Sequence, residues 1–196
     1  MSELTKISIS VGQLVEFVYQ KGNLAVSFQS YSRRMKGILG HQIVQKSRNK
    51  DYQAEVTIKY QHIIPPLEIE INGRIDGIQT DNGQVTLEEI KTLSFLSKND
   101  PDFEIIFFQC LAEYQEALPL LEGKSPMHWA QALIYAYIWC KQNELSHIRI
   151  QLTYYVNEKH KEYPFPVDFS LVWLETFFTD TVDKWLSWAL KISEWK

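Results

Sequence analysis

The sequence predicts an α/β fold in which helices flank a mixed central β-sheet. Along the 196 residues, segments with apolar side chains at three- and four-residue spacing are followed by segments with strict apolar–polar alternation. These segments occur in the order α-α-β-β-β-α-β-β-α, which is typical of an α/β sandwich. An apolar fraction of 45% with only eight Gly and seven Pro predicts one domain, residues 1–196, with a substantial core.

Two helices are predicted first. Val11–Gln20 carries a short apolar stripe at helical spacing, and Gly22 follows as a stop signal. Phe28–Ser47 predicts the second helix, in which Gly37 and Gly40 either weaken the helix or allow a close approach. The first fifty residues carry eight Lys or Arg against two Glu, in a chain of net charge −4. This basic region is interpreted either as a solvated helix face or as a surface that attracts phosphate.

Three strands are predicted next. Alternation of apolar and polar residues marks Tyr52–His62, Leu67–Thr80 and Gln84–Thr92 as strands. Pro65-Pro66 separates the first two strands. Asn82-Gly83 separates the second from the third, and this dipeptide is a strong signal for a two-residue hairpin turn.

The second half of the chain predicts two helices and two strands. Ser125 and Pro126 fit the N-cap and first position of a helix that reaches about Lys141. Strands are predicted at His147–Val156 and Lys161–Pro166, and Ser170–Trp195 predicts a long amphipathic helix. In the intervening region, residues 103–118 have the spacing of a further helix.

The predicted hairpin register brings two carboxylates together. With a two-residue loop, Asp76 lies directly opposite Glu89, and Lys91 shares the face of Glu89 because side chains alternate along a strand. Two carboxylates about 5 Å apart repel each other, and Lys91 or, more effectively, Mg²⁺ or Mn²⁺ would compensate. The alternative is that both acids face solvent and that Lys91 is an ordinary ion-pair partner.

Two glycines flank the first of these acids. Gly73 and Gly77 bracket Asp76, and a glycine within a strand often marks the close approach of a ligand or of another backbone. This favours the metal site over the solvent-facing alternative. The reaction class that follows is metal-assisted phosphodiester hydrolysis, with Lys91 orienting or deprotonating the attacking water.

Further candidate residues lie on the predicted helices. His128, Gln131 and Tyr135 share one face of their helix and are interpreted either as core residues or as groups presented to a phosphate backbone or an attacking water. His41 lies in the basic second helix and is either a surface histidine or, as a neutral imidazole, a third metal ligand.

Several protein classes are excluded by composition. Two cysteines, Cys110 and Cys140, exclude a disulfide framework and a four-cysteine zinc or iron–sulfur site within this chain. The N-terminus has no secretory signal pattern, and no apolar run approaches the roughly 20 residues that span a bilayer. We therefore expect a reducing, cytoplasmic location without a membrane partner.

Three sequence motifs resemble a known superfamily. One predicted strand contains G-R-I-D-G, the next contains L-E-E-I-K-T, and the following helix contains H-W-A-Q-A-L-I-Y-A-Y. In the order αβββαβ, these motifs resemble the PD-(D/E)XK nuclease superfamily, and the Q-x-x-x-Y pattern resembles its RecB-like branch. The resemblance covers about residues 28–156. It implies a restriction-endonuclease-like αβββαβ core, followed by the C-terminal helix at about 170–195.

A narrower resemblance concerns helicases. The segments L-V-E-F, H-W-A-Q-A and Q-L-T-Y-Y are similar to the N-terminal nuclease-like domain of DinG-type, XPD-like bacterial DNA helicases. The chain has no Walker A motif for a motor of its own. We therefore expect a domain excised from a longer protein, with a helicase domain in cis.

The resemblance also implies roles for individual residues. It implies that His41, Asp76 and Glu89 bind one or two Mg²⁺ or Mn²⁺ ions, with the carbonyl of Ile90 as a further ligand. Lys91 would position or activate the attacking water.

The same resemblance implies contacts with DNA. Gln131 and Tyr135 would support the site or contact the DNA backbone, and Arg33 and Arg34 of the basic region are further candidates for DNA contact. The acidic motif contains G-R-I-D-G in place of Pro-Asp, a common variation in the superfamily.

The function expected from the sequence is a metal-dependent DNA nuclease that works beside a helicase in DNA repair or processing. Its substrate would be single-stranded DNA or duplex DNA with an end. One alternative is a catalytically silent module that binds DNA or docks a protein, because a fold can persist without activity. Another is a ribonuclease or an unrelated metal-dependent hydrolase that uses the same carboxylates.

Overall fold

A mixed six-stranded sheet forms the centre of the computed structural model, which describes residues 4–19, 31–93 and 126–193. Along the chain, the strands and helices are β1 (Thr5–Ser10), α1 (Val11–Tyr19), α2 (Tyr31–Ser47), β2 (Gln53–Ile64), β3 (Leu67–Asp81), β4 (Gln84–Leu93), α3 (Pro126–Gln142), β5 (His147–Val156), β6 (Lys161–Ser170) and α4 (Leu171–Ser193). The predicted α/β class is confirmed, as is the αβββαβ core, which runs from α2 to β5. The helix predicted at residues 103–118 lies outside the described residues.

Two strands differ from the prediction. The chain begins with β1 and not with a helix, because Ile7 and Ile9 alternate with polar residues in a segment that pairs in parallel with β3. β6 continues past Pro166 to Ser170. This strand is at the edge of the sheet, so a proline there removes no bond that the sheet requires.

The order of the strands leaves an opening along β3. The sheet runs β1-β3-β4-β5-β6, and β2 pairs with the other edge of β3. β1 and β4 therefore share one edge of β3. β1 pairs with residues 67–72 and β4 with residues 77–81, so residues 73–76 lie between them. The predicted site falls in this opening.

The hairpin has the predicted turn and register. Asn82 and Gly83 both have positive φ angles, 47° and 82°, as a type I′ turn requires. The pairing runs from Asp81 opposite Gln84 to Gly77 opposite Glu88 and ends there. The predicted direct pairing of the next two residues, Asp76 and Glu89, is therefore wrong, because the strands separate one position earlier.

The buried apolar residues form two groups. The larger group joins the sheet to α1, α3 and α4 and includes Ile71, Leu87, Leu133 and Phe178. The smaller one consists of Val44 on α2, Ile90 on β4 and Tyr155 on β5. Complete burial of each such side chain stabilises the fold by about 1.5–3 kcal/mol. Among the described helices, none is both long and apolar enough to cross a membrane.

Candidate active site

Asp76 lies where β3 loses its pairing on both edges. The register of β3 with β2 is continuous except at Asp76 and the residue opposite it, Glu55. On the other edge, the pairing with β4 ends at Gly77. The Asp76 side chain takes the place of a ladder bond, since its Oδ2 accepts the N–H of Ile90 over 2.7 Å. Because the backbone pairing is interrupted at Asp76, its carboxylate bonds to the backbone of β4 and is held there.

Helix α2 brings a histidine to this carboxylate. A Cβ atom at Gly40 would lie 2.7 Å from Thr92 Cγ2, so a glycine is needed where α2 crosses β4. Thr92 Oγ1 also donates to the carbonyl of Gly37 over 3.2 Å. A close approach is thus found at Gly40, where β4 packs against α2, and not at Gly37, where nothing lies within 4 Å of the position that a Cβ would take; His41 Nδ1 lies 3.3 Å from Asp76 Oδ1.

Glu89 and Lys91 form a pair next to Asp76. Lys91 Nζ donates to Glu89 Oε1 over 2.7 Å, as their shared face predicts. The Glu89 side chain is only 2% exposed, whereas that of Lys91 is 21% exposed and can be reached from solvent. Glu89 Oε2 is buried and has no hydrogen-bond partner among the described residues. The site therefore contains a buried acceptor atom whose bonding capacity is unused.

The charges of this group alter its protonation. Burial raises the pKa of Glu89 to about 7; Lys91 opposes this effect and the charge of Asp76 adds to it. Burial lowers the pKa of His41, but its hydrogen bond to Asp76 and the charges of Asp76 and Glu89 outweigh burial and leave the pKa raised. Both groups thus bind protons more tightly than usual, because two acids share a partly buried site.

Helix α3 supports Lys91 from the other side. Lys91 Nζ donates to Gln131 Oε1 over 3.1 Å, and Gln131 Nε2 donates to the Tyr135 hydroxyl over 3.5 Å. The same hydroxyl accepts the N–H of Arg74 over 3.4 Å, in the opening of β3. A Cβ at Gly73 would lie 2.8 Å from the Tyr135 hydroxyl, so this glycine admits a tyrosine of the same chain. Gly77 likewise lies against Tyr52.

Tyr135 is buried between α3 and the sheet. It is 3% exposed, and both of its predicted roles, support of the site and contact with the DNA backbone, stay predictions. Burial, followed by the charge of Glu89, raises its pKa to about 12. His128, on the same face of α3, pairs with the Tyr154 hydroxyl over 3.1 Å. Burial and the charge of Lys91 lower the pKa of His128 to about 3.

The neighbouring glutamate, Glu88, belongs to a different network that sequence reasoning missed. Glu88 accepts two bonds from Arg48, at 3.0 and 2.6 Å, one from Gln151 at 2.8 Å and one from Thr153. Arg48 also pairs with Glu162 on β6. Burial raises the pKa of Glu88, but the bonds from Arg48 and Thr153 outweigh it and leave the pKa lowered. Side chains alternate along β4, so Glu88 and Glu89 point to opposite faces, and this alternation is the pattern that indicates separate networks for the two residues.

Other predicted site residues are placed less fully. Ile90 lies between Glu89 and Lys91, with its N–H on Asp76, and a ligand role for its carbonyl stays a prediction. Arg33 and Arg34 belong to α2, but their side chains lie outside the described part of the chain. Their contact with DNA also stays a prediction.

The donor set fits a divalent cation by its chemistry. Two carboxylates and an imidazole are suitable ligands for Mn²⁺, and the carboxylates are also suitable for Mg²⁺. The oxygen of Glu89 that has no hydrogen-bond partner is an acceptor that a cation would satisfy. As they stand, no three His, Cys, Asp or Glu side chains within residues 4–19, 31–93 and 126–193 are grouped closely enough to hold a metal ion. Asp76 is engaged by His41, and Glu89 by Lys91. Binding by His41 and Asp76 would thus require their pairing to be exchanged, whereas Glu89 could bind through Oε2 and keep Lys91 on Oε1.

Comparison with solved structures gives several similar chains, two of which are described below. No protein-family model matches the sequence, and no curated protein matches it. The chain is similar to the crystal structure of SSO0001, with 21% identity, a TM-score of 0.47 and coverage of 89% of this chain and 75% of that chain. It is also similar to an alkaline exonuclease (LHK-Exo) from Laribacter hongkongensis, with 11% identity, a TM-score of 0.47 and coverage of 95% and 92%. The function must therefore be inferred from the residues of this chain.

Proposed function

We infer that the chain is a metal-dependent nuclease that hydrolyses phosphodiester bonds, with Asp76, Glu89 and Lys91 at its active site. The observation that carries this inference is the buried Glu89 carboxylate, which has one oxygen on Lys91 and the other without a partner. A buried charge with an unsatisfied atom lowers stability, so its presence beside a second acid is more typical of a functional site than of a structural ion pair.

The cation would be held by His41, Asp76 and Glu89, with the Ile90 carbonyl as a further ligand. When bound, Mg²⁺ or Mn²⁺ supplies Lewis-acid polarisation of a phosphoryl oxygen. The carboxylates provide the negative charge that attracts the ion into a partly buried site. Since Glu89 and His41 have raised pKa values, both must lose protons before they can act as ligands.

Lys91 would hold the attacking water. Its ammonium is fixed by Glu89 and Gln131, at 2.7 and 3.1 Å, and its partial exposure lets the third donor reach a water or a phosphate oxygen. Gln131 is in turn fixed by Tyr135, whose hydroxyl is anchored on the Arg74 amide. This chain of contacts keeps the ammonium in one orientation, which is what positioning of a nucleophile requires.

DNA is the proposed substrate, either single-stranded or with a duplex end. The basic start of α2, with Arg33, Arg34 and Lys36, would supply attraction for the phosphate backbone. A helicase domain in cis and a role in DNA repair remain part of this proposal, as does the choice of Mg²⁺ or Mn²⁺.

The test is a cleavage assay on oligonucleotides labelled at the 5′ or the 3′ end, single-stranded and duplex, with RNA of the same sequence in parallel. We expect cleavage of DNA that requires Mn²⁺ or Mg²⁺, stops with EDTA and is lost in Asp76→Asn and Glu89→Gln. Asp168→Asn removes an exposed acid from β6 and is the matched control, with activity unchanged.

Two other results would replace the proposal. DNA binding that EDTA does not affect, without cleavage by any preparation, would indicate a catalytically silent binding module. The existing pairing of Asp76 with His41 and of Glu89 with Lys91 is the observation that favours this second candidate. Cleavage of the RNA in preference to the DNA would indicate a ribonuclease.

A further inference from the structure

The backbone of Asp76 is not paired with either neighbouring strand, so it must be held in place by other contacts. Pairing with β2 omits Asp76 and Glu55, and pairing with β4 stops at Gly77. The side chain of Asp76 is fixed by Ile90 and His41. The Asp76 carbonyl accepts a hydrogen bond from a residue outside the sheet. A carboxylate can hold an ion in a fixed position only if the backbone that carries it is also fixed.

Gln45 on α2 provides that bond. Its Nε2 donates to the carbonyl of Asp76 over 3.0 Å and to Glu55 Oε1 over 2.9 Å. Gln45 lies one helical turn after His41, so both side chains project from the same face of α2. The helix therefore contacts Asp76 twice, once at its carboxylate and once at its backbone.

Glu55 fixes the other end of this arrangement. Its φ angle is 58°, in the left-handed region that a glutamate rarely adopts, and it stands opposite Asp76 without pairing with it. Arg74 Nε contacts Glu55 Oε2 over 2.6 Å, while Gln45 occupies the other oxygen. The side chain of Glu55 thus links β3 and α2 where the backbone bonds of the ladder are missing.

We propose that Gln45 is a positioning residue that holds Asp76 in place for cation binding by bridging the Asp76 carbonyl and the Glu55 carboxylate. This inference rests on the proposed function in that it assigns a cation to Asp76. The NH₂ group of Gln45 has two protons and can donate one to each acceptor. An ionised carboxylate or an apolar side chain has no proton to donate. Gln45 acts through Asp76 and touches no substrate.

The experiment compares Gln45→Met with Gln42→Met. Methionine keeps the length of glutamine and removes the donor, and Gln42 is an exposed glutamine on the same helix. Two measurements are made on the full chain: Mn²⁺ affinity by titration calorimetry and the hydrogen-exchange rate of the Ile90 amide by NMR. The Ile90 amide is chosen because it donates to the Asp76 carboxylate and needs no metal for its readout.

Gln45→Met removes the bonds to Asp76 and Glu55, and we expect loss of the bond to the Asp76 carbonyl to weaken Mn²⁺ binding roughly fivefold and to accelerate Ile90 exchange by a similar factor. Gln42→Met should change neither. Gln45→Ala, which removes the donor with less bulk, should reproduce both changes if methionine disturbs the helix.

Unchanged Mn²⁺ affinity and unchanged Ile90 exchange would overturn the proposal and leave the nuclease function intact. A uniform acceleration across the sheet, including the amides between β5 and β6, would also overturn it, because Gln45 would then stabilise the whole fold. If the parent chain binds no Mn²⁺, the proposed function fails, and the Ile90 exchange rate alone decides whether Gln45 holds Asp76.

Discussion

Glu88 and Glu89 are adjacent on β4, and we expect their amide variants to have opposite effects. Glu88 lies in the network with Arg48 and Thr153, whereas Glu89 lies beside Lys91 and Asp76. Glu88→Gln should therefore reduce stability and retain cleavage at low temperature. Glu89→Gln should retain stability and abolish cleavage.

The magnitude for Glu88 follows from its burial and its partners. Glu88 is 2% exposed, and the Arg48 side chain is 17% exposed. An amide at this position would direct its NH₂ group at the donors of Arg48, Gln151 or Thr153, and Glu162 would remain as the acidic partner of Arg48. Removal of one partner from a buried ion pair costs about 3–5 kcal/mol, and the remaining Glu162 favours the lower end. At about 2–4 °C per kcal/mol for a chain of this size, a loss of about 3 kcal/mol lowers Tm by roughly 6–12 °C.

Urea unfolding between pH 3 and pH 8 measures this effect and its sign. Since the pKa of Glu88 is lowered in the folded state, its stabilisation is fully present above the ordinary value of 4.5 and is lost as the pH falls through the folded-state value. The difference in unfolding free energy between the parent and Glu88→Gln should thus be largest near neutrality and shrink below that ordinary value. Asp168→Asn is the matched control, because Arg149 donates to Asp168 through Nε and Nη2, as Arg48 does to Glu88, but at the surface. Its effect should be a small fraction of that of Glu88→Gln.

A reversal of these phenotypes would refute the reasoning. If Glu88→Gln keeps its stability and loses cleavage, Glu88 belongs to the active site and the assignment of faces on β4 is wrong. If Glu89→Gln destabilises the fold as much as Glu88→Gln, the pair of Glu89 and Lys91 is structural.

Three further predictions concern the site. Lys91→Met should lower single-turnover cleavage by about 10²- to 10⁴-fold, with the circular dichroism spectrum retained because Glu89 can take up a proton when the ammonium is lost. Gly73→Ala should cost about 1–3 kcal/mol in thermal unfolding, because the new Cβ would meet Tyr135 Cε1 at 2.6 Å. Mn²⁺ affinity by calorimetry should increase as the pH rises through about 7, since Glu89 and His41 both have raised pKa values and bind the ion only when deprotonated; an affinity independent of pH would exclude both as ligands.

Much of the fold could be predicted because the patterns that specify it are local. The Asn82-Gly83 turn fixes the hairpin register, and alternation along β4 places Lys91 beside Glu89 without any knowledge of the rest of the chain. The sequence offered His41 as a third metal ligand but left a surface role open, and the resemblance to a nuclease family favoured the ligand role, because nothing local links α2 to β3.

The remaining features depend on contacts between distant segments. The ladder between β3 and β4 stops at Gly77 and Glu88, one position before Asp76 and Glu89, and β1, which occupies the same edge of β3 up to Asn72, was not predicted. The glycine at position 73 accommodates Tyr135 from α3, a contact between residues 62 positions apart that strand alternation cannot reveal. Gln45 lies in the predicted helix and Arg48 directly after it, and no local pattern indicates that their acceptors lie on β3 and β4.

The charge balance among His41, Asp76, Glu89 and Lys91 explains how two acids are accommodated side by side in the fold. The raised pKa of His41 favours an imidazolium against Asp76, and Lys91 compensates Glu89, so each acid has a cation of the protein as its partner. In these pairs, no three of the described His, Cys, Asp or Glu side chains are grouped closely enough to hold an ion. A divalent cation would replace the proton of His41 and take the unused oxygen of Glu89. If the proposed function holds, Mn²⁺ binding should therefore release a proton, because the same pairs stabilise the two acids in the absence of the ion.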